Sequence, residues 1–214
     1  MAFSLRGYYA IVDVKGTSID TAAMLRHAGE LLAARPCCLQ LRAKQLGLSA
    51  LCKLGHALRA LCTQYQVPLC VNDRLDIALA VGADIVHLGQ NDLPLAEALR
   101  ARTAARAERL RIGISAHDLG QARAAAEGGA DYVGFGPVFQ TQTKADADSA
   151  VGLVALRQVA AAVKIPLVAI GGITLDTVEE VARTGASAAA VIAAVDGAPD
   201  RTLAGRRIAL VFRA

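Results

Sequence analysis

The sequence predicts a parallel α/β fold, and among such folds a (β/α)8 TIM barrel, on three observations. Eight short Val/Ile/Leu/Ala-rich runs recur along the 214 residues. Each is followed by a longer stretch with helical periodicity, so strands and helices alternate. The runs also lack regular polar alternation, which is the character of strands buried on both faces. Alternation fixes parallel strands but not closure, and a doubly wound open sheet is compatible with the same pattern. No linker, low-complexity tract or charge block interrupts the chain, so one barrel domain over residues 1–214 is expected.

Taken in order, the strands fall at 8–13 (YYAIVD), 38–42 (CLQLR), 68–72 (PLCVN) and 85–89 (IVHLG). The second four fall at 111–115 (RIGIS), 132–136 (YVGFG), 166–170 (PLVAI) and 188–192 (AAAVI). Helix signals lie between them. His117-Asp118 precedes LGQARAAAEGGA, Thr174 precedes LDTVEEVARTGA, and Gly128, Gly129 and Gly185 close those stretches. Pro94 suits the first turn of the helix after the fourth strand. The final helix, within GRRIALVFRA, is abbreviated for this pattern, which leaves the last seam of a barrel open to question.

Composition narrows the function classes. A net charge of +4 and 4% aromatic residues supply neither the dense basic face nor the stacking rings of a nucleic-acid binder, and a small anionic ligand fits better. Five cysteines, odd in number and without a C-x-x-C pair, argue against a disulfide framework or a zinc ribbon and for a reducing cytoplasm. No apolar run approaches the roughly 18 residues of a membrane span. MAFSLRGYYAIVD does not read as a secretory leader, so a soluble, unprocessed cytoplasmic protein is expected.

In parallel-sheet folds ligands collect at the carboxyl ends of the strands, and the polar residues cluster there. Gln40 and Arg42 share one face of the second strand, and Lys44 follows. An Arg fork and a Lys point charge suit an oxygen-rich anion, although a buried Gln and two surface cations would look the same. Asp73 and Asp92 follow the third and fourth strands. Each could cap a helix. Two acids at neighbouring strand ends also make a hard oxygen site for Mg²⁺ completed by phosphate oxygens and water, and the nearby cations favour that reading.

Ser115 and His117 end the fifth strand, as a hydrogen-bonding hydroxyl and a loop or acid-base histidine. His87, within the fourth strand, reads as a hydrogen-bonded interior side chain, and His27 and His56 as helical and structural. Thr141, Gln142, Thr143 and Lys144 bring hydroxyls, amides and a cation together after the sixth strand, which is phosphate chemistry; Asp146 and Asp148 read as solvated. Gly171-Gly172 after the seventh strand would let an anion approach the backbone, near the start of a short helix after the eighth. Two anion sites thus flank a metal site, which suggests one substrate carrying a diphosphate on magnesium and another carrying a monophosphate.

This set resembles the thiamine phosphate synthase family. QLRAK, VNDR, ADIVHLGQND, IGISAH, DYVGFGPVFQTQTK and VAIGGI occur in that order at successive strand ends, covering nearly the whole chain. The resemblance implies a (β/α)8 barrel that joins hydroxymethylpyrimidine diphosphate to a thiazole phosphate, giving thiamine monophosphate and pyrophosphate. It implies that Gln40, Leu41, Arg42, Ala43 and Lys44 line the pyrimidine diphosphate, with Asn72 touching the same substrate. It implies Mg²⁺ on Asp73 and Asp92, Ser115 on the pyrimidine amino group, and Lys144 on the diphosphate. Thr141, Gln142, Thr143, Gly172, Ile192 and Ala193 would bind the thiazole phosphate. It further implies catalytic roles for Arg42, Lys44, Lys144 and Ser115, in a dissociative substitution that needs no protein nucleophile.

One departure stands out. The family usually places a serine where this chain has Ala193, in VIAAV, and a lost hydroxyl contact is worth about 1–3 kcal/mol of phosphate affinity. Backbone amides at Ile192 and Ala193 remain. Three rival readings stay open: a thiazole tautomerase of the same superfamily, which needs no diphosphate; a non-catalytic protein that binds thiamine precursors; and another phosphate-binding barrel isomerase, if Asp73 and Asp92 bind no metal. The expected partners are small phosphorylated molecules, without nucleic acid or membrane, and a homo-oligomer is compatible with the sequence.

Overall fold

The computed structural model describes residues 5–141 and 149–213. Its strands are β1 (Gly7–Asp13), β2 (Cys38–Arg42), β3 (Leu69–Asn72), β4 (Ile85–Leu88), β5 (Arg111–Ala116), β6 (Tyr132–Phe135), β7 (Leu167–Ile170) and β8 (Ala188–Val191). They pair in sequence order, all parallel, and β1 bonds to both β2 and β8, so the sheet is a closed barrel and the open-sheet alternative falls away. All eight expected strands are present, with no end shifted by more than one residue.

The helices of the described residues are α1 (Thr21–Ala33), α2 (Leu48–Tyr65), α3 (Leu75–Val81), α4 (Leu95–Ala104), α5 (Leu119–Glu127), α6 (Gly152–Ala162), α7 (Val178–Ala182), α8 (Ala193–Asp196) and α9 (Arg201–Val211). Local chemistry sets several starts. The carboxylates of Asp20, Asp118 and Asp200 accept from backbone amides at Ala23, Gln121 and Leu203, which satisfies donors that a first turn leaves orphaned.

Two expected starts move. Pro94 is the residue before α4 and not part of its first turn. Thr174 does not open a helix directly. The Thr174 amide donates to Thr177 Oγ1 at 3.0 Å and the Thr177 amide to Thr174 Oγ1 at 3.3 Å, and this reciprocal turn delays α7 to Val178.

The core has two layers. Side chains such as Leu31, Leu39, Leu54, Leu69 and Leu156 fill the space between strands and helices. Tyr9, Ile11, Cys38, Cys70, Ile85 and Tyr132 fill the barrel itself. The short last helix does seal the seam: a Cβ at Gly205 would lie 2.7 Å from the Cβ of Ala34 and 2.9 Å from the Tyr8 ring, so α9 reaches β1 closely because that residue is glycine. Among the described residues no helix is long and apolar enough to cross a membrane.

Candidate active site

Register places the second strand's polar residues. Asp13 pairs with Arg42 and Ile11 with Gln40 across β1 and β2, on the alternate positions that face the barrel interior. Arg42 Nη1 donates to Asp13 Oδ1 at 2.6 Å, with only 4% of the Asp13 side chain exposed. A buried carboxylate therefore fixes the guanidinium at the barrel mouth. Asp13 was not singled out in the sequence, where it is simply the last residue of the first strand.

Asp73 leaves β3 with φ +64°, a left-handed conformation that Asp and Asn tolerate better than most residues. That turn removes it from the capping position: α3 is preceded by Arg74, and no side chain caps it. Asp73 instead meets Asp92. Burial first, then the charge and shared hydrogen bond of Asp92, push the Asp73 carboxyl from 3.8 up to about 6, while Lys44 and Arg42 pull it back.

Lys44 Nζ lies 3.8 Å from Asp73 Oδ2. Asp92 Oδ2 accepts from the Gly89 amide at 2.7 Å and so closes a tight turn after β4, and the capping reading fails for it too, because Pro94 precedes α4. Leu41, Ala43, Lys44, Asn72 and Asp73 line one pocket beside this pair. Arg74 turns away and pairs with Asp76 on the surface.

The fit of a metal can be judged from the donors. Two neighbouring carboxylates, one with a raised proton affinity, form a like-charge pair that a divalent cation would relieve. Among the described residues no group of three or more His, Cys, Asp or Glu is arranged to hold an ion. The pair suits a hard cation such as Mg²⁺, which takes one or two carboxylates and completes its shell with substrate oxygens and water.

Ser115 and His87 meet inside the barrel, and two tyrosines join Gln40 to them. His87 Nε2 lies 2.9 Å from Ser115 Oγ, and His87 Nδ1 lies 2.8 Å from the Tyr132 hydroxyl. Gln40 Nε2 donates to the Tyr9 hydroxyl at 2.9 Å, and the two tyrosine hydroxyls are 3.0 Å apart. His87 is thus a hydrogen-bonded interior histidine, as expected. His117 Nδ1 donates to the Gly136 carbonyl at 2.6 Å, which commits that ring nitrogen to the backbone. Gln90 Nε2 donates to the Ser115 carbonyl at 2.5 Å and ties the loop after β4 to β5.

The phosphate end is only partly described. Gln142, Thr143 and Lys144, with Asp146 and Asp148, lie outside the described residues. Thr141, the last described residue before them, is half-buried. Gly171 and Gly172 have φ of +99° and +64°. A Cβ would lie 2.5 Å from Pro137 Cα at the first and 2.4 Å from the Gln140 carbonyl oxygen at the second. Their missing side chains therefore admit the segment after β6, a packing reason that the sequence reading did not give. Ile192 precedes α8, whose first residue is the exposed Ala193.

Another cleft, lined by Arg35, Arg206, Ala209 and Arg213, lies between α1 and α9 at the opposite end of the barrel. All five cysteines are free.

Comparison with known proteins gives a consistent result. The family model described as "Thiamine monophosphate synthase" matches residues 8–195. A thiamine-phosphate synthase from Moorella thermoacetica is 44% identical over 201 residues, covering 94% of this chain and 92% of the relative. Another from Methanospirillum hungatei is 47% identical over 171 residues, covering 80% and 81%. The solved thiamine phosphate pyrophosphorylase from Pyrococcus furiosus superposes with a TM-score of 0.83 at 36% identity, covering 96% of this chain and 95% of that one. A 3-hexulose-6-phosphate synthase, at 19% identity and a TM-score of 0.71, shares the fold alone.

Proposed function

This chain belongs to the thiamine monophosphate synthase family, and from that premise we propose how its barrel mouth performs the synthase reaction. It is a transferase that joins hydroxymethylpyrimidine diphosphate to hydroxyethylthiazole phosphate, forming thiamine monophosphate and releasing pyrophosphate. The observation that carries the site assignment is the Asp73–Asp92 carboxyl pair set beside Lys44 and Arg42.

Gln40 and Ser115 orient the pyrimidine, with Asn72, Leu41 and Ala43 lining its pocket. Arg42, braced by Asp13, and Lys44 hold the diphosphate and stabilise the charge that grows on it as the carbon–oxygen bond breaks. Preorganised cations of this kind commonly supply the largest share of such a barrier reduction. Asp73 and Asp92 are the residues that would hold Mg²⁺, and the chemistry such an ion supplies when bound is charge neutralisation on the leaving diphosphate.

Thr141, Gln142, Thr143, Gly172, Ile192 and Ala193 are assigned to the thiazole phosphate and Lys144 to the diphosphate, on family resemblance. Holding the thiazole nitrogen close to the pyrimidine methylene supplies the positional contribution. No nucleophile is asked of the protein.

A thiazole tautomerase would need no diphosphate, hence no carboxylate pair flanked by cations, and a precursor-binding protein would need no charge stabilisation on a leaving group. The free thiols fit a reducing cytoplasm. The site assignment is tested with Asp92→Asn, which keeps an oxygen to accept from the Gly89 amide. The variant should melt near the parent temperature and lose Mg²⁺-dependent pyrophosphate release by at least about 100-fold, roughly 2.7 kcal/mol. A large drop in melting temperature with activity intact would return Asp92 to a purely structural role.

A further inference from the structure

The interior hydrogen bonds described above have a direction. The side-chain nitrogen of Gln40 can only donate, so the Tyr9 oxygen accepts from it at 2.9 Å. Tyr9 has one proton, and among its partners the Tyr132 oxygen at 3.0 Å is a stronger acceptor than the sulfurs of Cys70 and Cys38, which also interact with it. Tyr132 therefore accepts from Tyr9 and sends its own proton to His87 Nδ1 at 2.8 Å. Nδ1 is then the acceptor nitrogen of a neutral imidazole, and Nε2 carries the proton that it donates to Ser115 Oγ at 2.9 Å.

We propose that Tyr9 and Tyr132 are positioning residues that lock His87 as its Nε2–H tautomer and so present the Ser115 hydroxyl to the pyrimidine as a hydrogen-bond donor. Accepting from His87 leaves Ser115 its own proton and one lone pair. That pair of capacities matches an aminopyrimidine edge, where a ring-nitrogen acceptor adjoins an amino donor. The opposite tautomer would consume the serine proton on His87 and leave only acceptor capacity.

The barrel is built to hold this chain. Tyr9 and Tyr132 are 2% and 0% exposed, and burial keeps both phenols protonated by pushing their titration well above the ordinary range. Two interior glycines make room. A Cβ at Gly113 would lie 2.0 Å from the Tyr132 ring, and one at Gly134 would lie 2.9 Å from His87 Cε1. Cys70 Sγ lies 3.7 Å from Gln40 Nε2 and 4.0 Å from the Tyr132 hydroxyl and also interacts with Tyr9; burial raises its thiol to about 11, so it stays a neutral thiol, whose sulfur accepts more weakly than a phenol oxygen. The relay joins Gln40 to Ser115, the two groups assigned above to the pyrimidine. The proposal rests on that assignment for its consequence but not for its geometry.

The test is ¹⁵N–¹H NMR of His87 in the substrate-free, full-length protein near pH 8, where an imidazole is neutral, with Tyr132→Phe and Tyr9→Phe alongside. The wild type should show His87 as the Nε2–H tautomer. Tyr132→Phe should shift it toward Nδ1–H and raise the Michaelis constant for the pyrimidine diphosphate about tenfold, the scale of one lost hydrogen bond. The constant for thiazole phosphate should stay unchanged. A packing defect alone would lower the melting temperature and move neither tautomer nor the ratio of the two constants.

An Nδ1–H or doubly protonated His87 in the wild type overturns the proposal, as does an unchanged tautomer in Tyr132→Phe. Should Tyr132→Phe not fold, the wild-type tautomer and Tyr9→Phe, with the same but smaller changes expected, decide it. A protein with the expected tautomer that makes no thiamine phosphate would sink the functional assignment and leave the relay standing.

Discussion

Asp73 shows how one residue's surroundings set both stability and chemistry. Its carboxyl is raised from 3.8 in an unstructured chain to about 6 in the fold. Between those values the folded state binds more protons than the unfolded one, so stability falls as pH rises from about 4 through about 6. In metal-free protein, Asp73→Asn removes that titration. The melting temperature of the variant minus that of the parent should therefore grow across this window and stay positive above it, while Mg²⁺-dependent turnover is lost. Asn is the right substitute because it also tolerates the left-handed backbone at φ +64°. A flat difference across the window would mean that neither burial nor Asp92 raises the Asp73 carboxyl.

Asp13 is the second case. Asp13→Asn keeps an oxygen for Arg42 but removes the charge that fixes it, and kcat should drop about tenfold, roughly 1.4 kcal/mol. Unchanged kcat would make the pair structural. Arg42 and Gln40 were legible in the sequence because a two-residue spacing on a strand puts them on one face. Asp13 was not, since its meaning arises only when β1 and β2 pair in a register that sets it opposite Arg42. Tyr9 and Tyr132 were hidden more deeply. They are 123 residues apart, and nothing in either one's local sequence marks the other.

At the level of elements, glycines decide what the strands can carry. Gly113 on β5 leaves the space that the Tyr132 ring fills, and a Cβ there would lie 2.0 Å from it. Gly113→Ala should lower the melting temperature by several degrees: overpacking typically costs about 1–3 kcal/mol, and each kcal/mol is about 2–4 °C in a chain of this length. Gly29, inside α1, has no neighbour within 4 Å of its added Cβ. Gly29→Ala should raise the melting temperature slightly through helix propensity. Equal effects at the two sites, read by thermal melts, would contradict this packing account. The strands were readable because runs buried on both faces are continuously apolar. The start of α7 was not, because the Thr174–Thr177 turn competes with the helix for the same amides.

For the whole molecule, closure decides function. Alternating strands and helices describe an open sheet and a barrel equally well; only the β1–β8 ladder, with α9 packed over it, brings eight strand ends around one mouth. That ring of ends is why residues scattered from Asp13 to Ala193 fall at one end of one molecule. The ordered motifs are enough to mark the family without any contact, yet the bracing by Asp13 and the directed relay belong to the closed barrel alone.

The account is tested most directly by incubating the purified protein with hydroxymethylpyrimidine diphosphate and hydroxyethylthiazole phosphate, with Mg²⁺ and with a chelator, and measuring both products. Thiamine monophosphate and pyrophosphate should appear in equal amounts, and only with the metal. Saturable binding of both substrates without product, or an undiminished rate in the chelator, would contradict it.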